Sequence, residues 1–233
     1  MDTEMWKREA AKVAAKLVRD KMVVGLGSGT TVAEIIRVLA KLKSKATFIP
    51  SSSLTQRLAG DLGLKLSSLD VYEKLDLMID GADEVDPNFN MIKGGGGAHT
   101  REKIVAGAAK RVAIVVDRTK LVKKLGERAP VPVDIIPFAR DYTARKLAEL
   151  GGEPKLRATA SESPFVTDDG NYILDVKFRS IPKPVELEQK INHVPGVVEN
   201  GIFVGVADFL LVGYEGGCVK LNSKQAFLKL MRR

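Results

Sequence analysis

The chain is poor in the residues that staple or metallate small folds. Its 233 residues include one cysteine, Cys218, and two histidines, His99 and His193. A single thiol excludes an intrachain disulfide framework and a Cys-rich zinc site, and two imidazoles make no multi-His metal centre. Such sparing use of cysteine fits a reducing, cytoplasmic compartment. Cys218 reads as a small packed residue in a late strand. Aromatic residues amount to only 6%. None interleaves with the basic runs at Lys41, Lys43 and Lys45 or from Arg101 to Arg128, so a stacking platform for nucleic acid is not expected. No apolar run nears the roughly 20 residues of a membrane-spanning helix. The first residues, Met1-Asp2-Thr3-Glu4, are acidic where a secretory leader would be basic and then apolar.

What remains is an ordinary globular composition, 45% hydrophobic and 28% charged. The length suits one large domain or two small ones, with a core that needs no staples. Lys and Arg outnumber Asp and Glu by 37 to 29, a net charge of +8. That surplus suits small phosphorylated substrates or plain solvated helix faces.

Hydrophobic periodicity predicts a helix over 5–18, capped by Asp2 or Thr3, and a buried strand over 22–26. A helix carrying Val32, Ile35, Ile36 and Leu39 comes next, then a strand over 46–49. A helix over 51–58, strands over 64–66 and 75–79, a helix over 100–109 and a strand over 112–116 follow. Alternation of this kind indicates an open, mostly parallel α/β sheet. Pro130, Pro132 and Pro137 mark a change of texture. Beyond them the pattern predicts a strand over 131–136, a helix over 141–150, strands over 155–160 and 172–178, and a helix over 184–193 opened by Pro184. This reads as a small antiparallel α+β domain at 129–200, inserted into a larger one formed by 1–128 and completed by 201–233. The apolar runs 203–206 and 209–212 are expected to return to the first sheet.

Four segments carry chemistry. Gly25-Leu26-Gly27-Ser28-Gly29-Thr30-Thr31 joins a buried strand to a helix. Free N–H groups and the helix dipole at such a junction favour an anion, and Ser28, Thr30 and Thr31 add hydroxyls. The spacing is neither a Walker loop nor the full dinucleotide fingerprint, and a purely structural turn is the alternative. Asp80-Gly81-Ala82-Asp83-Glu84-Val85-Asp86 places four carboxylates at a strand's carboxyl end, the edge where open α/β sheets bind ligands. Divalent metal binding, acid–base chemistry and a solvated acidic loop all remain open for it. Lys93-Gly94-Gly95-Gly96-Gly97 follows. Four consecutive glycines are entropically costly, and a loop passing close to a ligand justifies them. Lys93 would lower the pKa values of the neighbouring carboxylates. Glu102 opens the next helix, either as a first-turn acid or as a base aimed back at the glycines. Lys120 follows the strand ending at Asp117 and can reach an anion.

These segments, in this order, resemble the type A ribose-5-phosphate isomerase family. The likeness includes Arg101-Glu102-Lys103, Asp117-Arg118-Thr119-Lys120, Gly196 to Phe203 and Ala207-Asp208. It spans nearly the whole chain. His99 departs from it, standing where the family usually has an apolar residue. The resemblance implies a Rossmann-like catalytic domain with an inserted ferredoxin-like, lid-like α+β domain. It implies interconversion of D-ribose 5-phosphate and D-ribulose 5-phosphate through an enediolate, in the non-oxidative pentose phosphate pathway. It places catalysis on Glu102, Asp80, Asp83 and Lys93, with Glu102 as the base. Substrate binding falls to Ser28, Gly29, Thr30, Thr31, Gly81, Ala82, Gly94, Gly95, Gly96 and Lys120. It implies no metal, no organic cofactor, and a homodimer or homotetramer. A sugar-phosphate-sensing regulatory module is one rival, although no segment before residue 22 is free for a DNA-binding unit. A sugar-phosphate deaminase or a coenzyme A transferase with a nucleophilic glutamate is another.

Overall fold

The computed structural model describes residues 3–232, so the expected cap at Asp2 lies outside the described residues. The first part of the chain forms α1 (Thr3–Ala15), β1 (Val23–Leu26), α2 (Thr30–Lys41), β2 (Thr47–Pro50), α3 (Ser53–Asp61), β3 (Lys65–Leu66) and β4 (Leu77–Asp80). Two short strands, β5 (Glu84–Val85) and β6 (Met91–Ile92), precede α4 (His99–Ala108) and β7 (Val112–Asp117). A second run contains β8 (Val131–Ile135), α5 (Arg140–Glu149), β9 (Glu153–Leu156), β10 (Tyr172–Lys177), α6 (Pro184–Asn192) and β11 (Val197–Asn200). The chain then adds β12 (Ile202–Phe203), β13 (Phe209–Tyr214), β14 (Gly217–Leu221) and α7 (Lys224–Met231).

Seven strands make the main sheet in the order β14-β13-β7-β4-β1-β2-β3. All neighbours are parallel except the β13–β14 pair at the edge. Period-two alternation sends successive side chains to opposite faces. Ala113 and Val115 of β7 join the core under α1, α2 and α3, whereas Val112, Ile114 and Val116 join the core under α4 and α7. The chain order reverses between β1 and β4, which creates a crevice outside their carboxyl ends. Leu26 of β1 runs into Gly27-Ser28-Gly29 there, and β4 ends at Asp80.

The second run forms a separate antiparallel sheet, ordered β11-β8-β10-β9. With α5 and α6 it is a βαββαβ unit of ferredoxin-like topology. Its final strand, β11, carries no clear apolar alternation and was not among the expected strands. Val133, Ile135, Leu147, Leu174, Val176 and Ile191 form its core.

One expectation fails in an informative way. Of the two apolar runs after residue 200, only the second, within β13, returns to the main sheet. The first contributes β12 to a small three-stranded sheet, ordered β12-β6-β5. Its residues alternate between two interiors. Met91 and Phe203 enter the core of the main sheet, while Ile92 and Ile202 enter that of the ferredoxin-like unit. An apolar dipeptide shows that it is buried but not against what. The first helix ends at Ala15 instead of 18, and Lys21 takes a left-handed turn (φ 68°) before β1. The strand expected over 155–160 ends at Leu156.

Candidate active site

The β12–β6 pairing fixes the position of Lys93, the residue after β6. Its backbone N–H donates to Gly201 O at 2.9 Å, and Gly201 N–H donates in turn to Pro132 O at 2.7 Å. The side chain is 4% exposed and points inward. Its Nζ lies 2.8 Å from Asp80 Oδ2 and 3.0 Å from Glu102 Oε2, and donates to Gly81 O at 2.7 Å. The face of Phe203 lies 5.3 Å from the same ammonium, a further favourable contact for a cation.

Glu102 sits in the first turn of α4 but does not serve as an exposed helix-dipole acid. Its side chain is buried, and Oε1 accepts a 2.5 Å hydrogen bond from Ser28 Oγ. Burial pushes its carboxyl up. The Lys93 charge and the bonds from Ser28 and Lys93 outweigh this and hold it below its ordinary value. Asp80 behaves differently. Burial, then the nearby Glu102 charge, push it up to about 7 despite Lys93. The expected lowering by Lys93 therefore holds for Glu102 and fails for Asp80. One ammonium cannot fully compensate two buried carboxylates beside each other.

Asp80 Oδ1 accepts from Gly81 N–H at 2.7 Å and Ser28 N–H at 3.3 Å. The glycine at position 27 makes this possible. A Cβ on Gly27 would stand 1.8 Å from Asp80 Oδ1. Asp83, half-buried, accepts from Gly95 N–H at 2.8 Å. The other two carboxylates of the acidic segment are structural. Glu84 accepts the backbone N–H groups of Gly126, Arg128 and Ala129. Asp86 closes its own turn through Asn88 and Asn90. Among the described residues no group of three or more His, Cys, Asp or Glu side chains is disposed to hold a metal ion.

Above the buried charges lies a cleft of about 120 Å³. It is lined by Ser28, Gly29, Thr30, Thr31, Gly81, Ala82, Asp83, Lys93, Gly94, Gly95, Gly96, Glu102 and Lys120. The structure thus brings together every residue that the family resemblance assigned to catalysis or substrate binding, with Asp80 bonded to the cleft residues Lys93, Ser28 and Gly81. Gly29 (φ 89°) starts α2 with no side-chain cap, and its carbonyl accepts from Ala33 N–H. Among the described residues the amides of Thr30 and Thr31 find no acceptor, and both residues line the cleft, where the helix start favours an anion. The hydroxyl of Ser28 is not free for such a ligand, because it is committed to Glu102.

Sequence reasoning missed Lys7, which also lines the cleft. It comes from α1, whose carbonyl at Trp6 packs where a Cβ on Gly213 would be, 2.1 Å away. Nothing in Trp6-Lys7-Arg8 separates Lys7 from its neighbour. Only the docking of α1 against β7 and β13 does so. His99 is fully buried, and His193 is exposed at the end of α6.

A buried carboxylate held ionised, beside a helix start that favours an anion and at a topological switch point, has the make-up of an acid–base enzyme acting on a small anionic substrate. Residues 47–217 match the family described as ribose 5-phosphate isomerase A (phosphoriboisomerase A). Ribose-5-phosphate isomerase A of Thermosynechococcus vestitus is 53% identical over 213 residues, covering 89% of this chain and 90% of that protein. The Gloeobacter violaceus protein of the same name is 47% identical, covering 97% of this chain and 100% of its own. Among solved structures, ribose 5-phosphate isomerase A from Methanocaldococcus jannaschii superposes with a TM-score of 0.91 at 44% identity, over 95% of this chain and 100% of its own. A D-ribose-5-phosphate isomerase in complex with phospho-erythronic acid gives 0.92 at 41%, with the same coverages. The chain belongs to the ribose 5-phosphate isomerase A family.

Proposed function

We propose the following course for the reaction this chain catalyses, the interconversion of D-ribose 5-phosphate and D-ribulose 5-phosphate through an enediolate. The observation that carries it is the Glu102 carboxylate, buried yet ionised through Lys93 and Ser28, at the edge of a cleft with a cationic far end.

The sugar phosphate lies with its phosphate on the open amides and hydroxyls of Thr30 and Thr31, between Lys7 and Lys120. That anchoring spends binding energy on the non-reacting end and orients C1 and C2. Asp83 and Asp80, one half-exposed and one titrating near neutrality, handle the hydroxyl protons when the furanose ring opens. Glu102 then takes the proton from C2 of the open-chain aldose while O1 gains one, which gives the enediol form. Return of the carbon-bound proton to C1, with loss of the O2 proton, gives the ketose and regenerates the carboxylate. Lys93 and the amides of the glycine string stabilise the developing oxyanion.

Division of the chain into 1–128 with 201–233, and 129–200, is supported by the two separate large sheets. We read the smaller unit as the lid over the cleft. We also propose a homodimer or homotetramer. The exposed Ile136, Phe138 and Tyr142 on the ferredoxin-like unit support such an assembly, and light scattering of the purified protein tests it. A cytoplasmic place in the pentose phosphate pathway fits the single thiol. No helix among the described residues is long and apolar enough to cross a membrane. The decisive experiment is a coupled assay of ribulose 5-phosphate formation from ribose 5-phosphate after exhaustive chelation. Undiminished turnover is expected. Loss on chelation with recovery on adding magnesium would recast the acidic segment as metal ligands.

A further inference from the structure

We propose that Arg157 is a positioning residue for the isomerisation, acting through the peptide planes of the glycine string; this rests on the reading of the cleft given above. Arg157 follows β9 in the ferredoxin-like unit and does not line the catalytic cleft. Its Nε and Nη2 form a fork on Asp175 of β10, at 2.9 Å and 2.5 Å. That leaves Nη1, which donates to Gly94 O at 2.9 Å and Gly95 O at 3.2 Å. The guanidinium also lies 5.7 Å from the ring centre of Phe165, and a Cβ on Gly97 would meet that ring at 2.5 Å. One side chain of the smaller unit thus holds the outer edge of the string.

The inner edge follows from peptide geometry. Among the described residues no peptide bond is cis, so in each unit the C=O and the next N–H point in opposite directions. With Gly94 O turned to Arg157, the Gly95 N–H of the same plane is turned away from it, and it donates to Asp83 at 2.8 Å. With Gly95 O turned to Arg157, the Gly96 N–H is likewise turned away. That amide finds no acceptor among the described residues, and Gly96 lines the cleft. Arg157 therefore sets two donors at once. One fixes Asp83, and the other is left open to an oxyanion. Gly94, at φ 101°, adopts a conformation rarely open to other residues, and four flexible glycines have no side chains of their own to fix these planes. The turn bond from Gly97 N–H to Gly94 O at 3.0 Å helps to hold the first plane, but among the described residues Gly95 O is held by Arg157 alone, and the fork supplies what the string lacks there. Lysine cannot replace it, because an ammonium has no planar array that serves a carboxylate and two carbonyls together.

The test uses Arg157→Lys and Asp175→Asn in the full-length protein, with kcat, KM and two inhibition constants. Inorganic phosphate probes the anchoring end alone. The 4-phosphate of erythronic acid adds a carboxylate whose two coplanar oxygens mimic an enediolate. A misaligned donor set should lower kcat about 10- to 100-fold, weaken the aldonate phosphate in step, and leave KM and phosphate inhibition within about two-fold. Should Arg157→Lys not fold, Asp175→Asn keeps the guanidinium and gives the same readouts. Unchanged kcat in both variants, or phosphate and aldonate weakened alike, would overturn the role of Arg157 while wild-type turnover upholds the isomerase reading. Absence of wild-type turnover would bring down both.

Discussion

Lys93 and Glu102 meet at 3.0 Å with side chains 4% and 3% exposed, and Asp80 reaches the same ammonium at 2.8 Å. Two carboxylates share one cation where water cannot screen them. Removing one partner of a buried pair leaves an uncompensated charge, at a typical cost of about 3–5 kcal/mol. Lys93→Met is therefore expected to lose stability of that order in urea unfolding. Without Lys93 the folded-state pKa values of both carboxyls rise above their unfolded values. Stability contributed by such groups is present at low pH and lost as pH rises through the folded values. The deficit of the variant should accordingly be larger at pH 8 than at pH 5. A deficit independent of pH would show that the charges are not the cause.

Glu102→Gln keeps the shape of the side chain and its reach to Ser28, but the amide cannot accept a carbon-bound proton. A kcat loss of roughly 10²-fold or more is expected, with binding of the sugar phosphate by calorimetry retained. Turnover near the wild-type level would eliminate Glu102 as the base.

The sequence made the site legible because its residues lie in short unbroken segments. Gly27 to Thr31 and Asp80 to Asp83 each follow an apolar strand of the parallel sheet, whose strand ends gather at one edge, whereas Lys93 to Gly96 follow β6 of the small antiparallel sheet and were marked by their run of glycines alone. What stayed hidden depends on contacts between distant parts of the chain. Lys7 reaches the cleft because of where α1 docks. Within one acidic run, Asp80 and Asp83 serve the cleft while Glu84 and Asp86 hold backbone, and nothing in the run distinguishes them. The partner of β12 was equally hidden, because two apolar residues can pair with any open edge.

His99 is a buried imidazole on the first turn of α4, and burial pushes it down to about 4 from 6.5. The neighbouring Glu102 favours its protonation, whereas Arg157 and Lys103 oppose it. Below pH 6.5 the unfolded chain binds this proton first, so the stability is present above that value and lost as pH falls towards 4. The two values imply a loss of about 3 kcal/mol across that window. His99→Leu should flatten this part of the acid limb in urea unfolding followed from pH 7 to pH 4. Parallel acid limbs in the two proteins would contradict the assignment.

Gly27→Ala tests the close approach of the β1–α2 loop to Asp80. The added methyl would occupy the position of Asp80 Oδ1, only 1.8 Å away. The carboxylate must turn, which breaks its bonds to Ser28 and Gly81 and its pairing with Lys93. Overpacking of this kind costs about 1–3 kcal/mol, and loss of paired charge adds to it. Turnover should fall by more than Thr55→Ser, which leaves the buried carboxylate alone. Thr55 Oγ1 holds Gly27 O at 2.8 Å, and serine retains that bond. Equal activity of the two variants would mean that Asp80 need not be held in place.

Thr31→Ala tests the proposed phosphate end of the cleft. Thr31 stands in the first turn of α2, beside Gly29, where no side chain caps the helix. The open amides survive the substitution, so the anion site should weaken without vanishing. KM for ribose 5-phosphate should rise by roughly 10-fold or more, as for loss of one charge-assisted hydrogen bond of about 1.5–3 kcal/mol. Because anchoring also orients C1 and C2, kcat can fall as well, and both constants need measuring. Free ribose, which has no phosphate to place, should be a very poor substrate of the wild type and nearly indifferent to the change. Lys7 and Lys120 flank the same end. Lys7 pairs with Glu4 at 2.8 Å, so part of its charge is already engaged. The contribution of either lysine should shrink with added salt if it acts as a screened charge. If Thr31→Ala weakened ribose and ribose 5-phosphate equally, the phosphate would have to lie elsewhere and the start of α2 would be a structural turn.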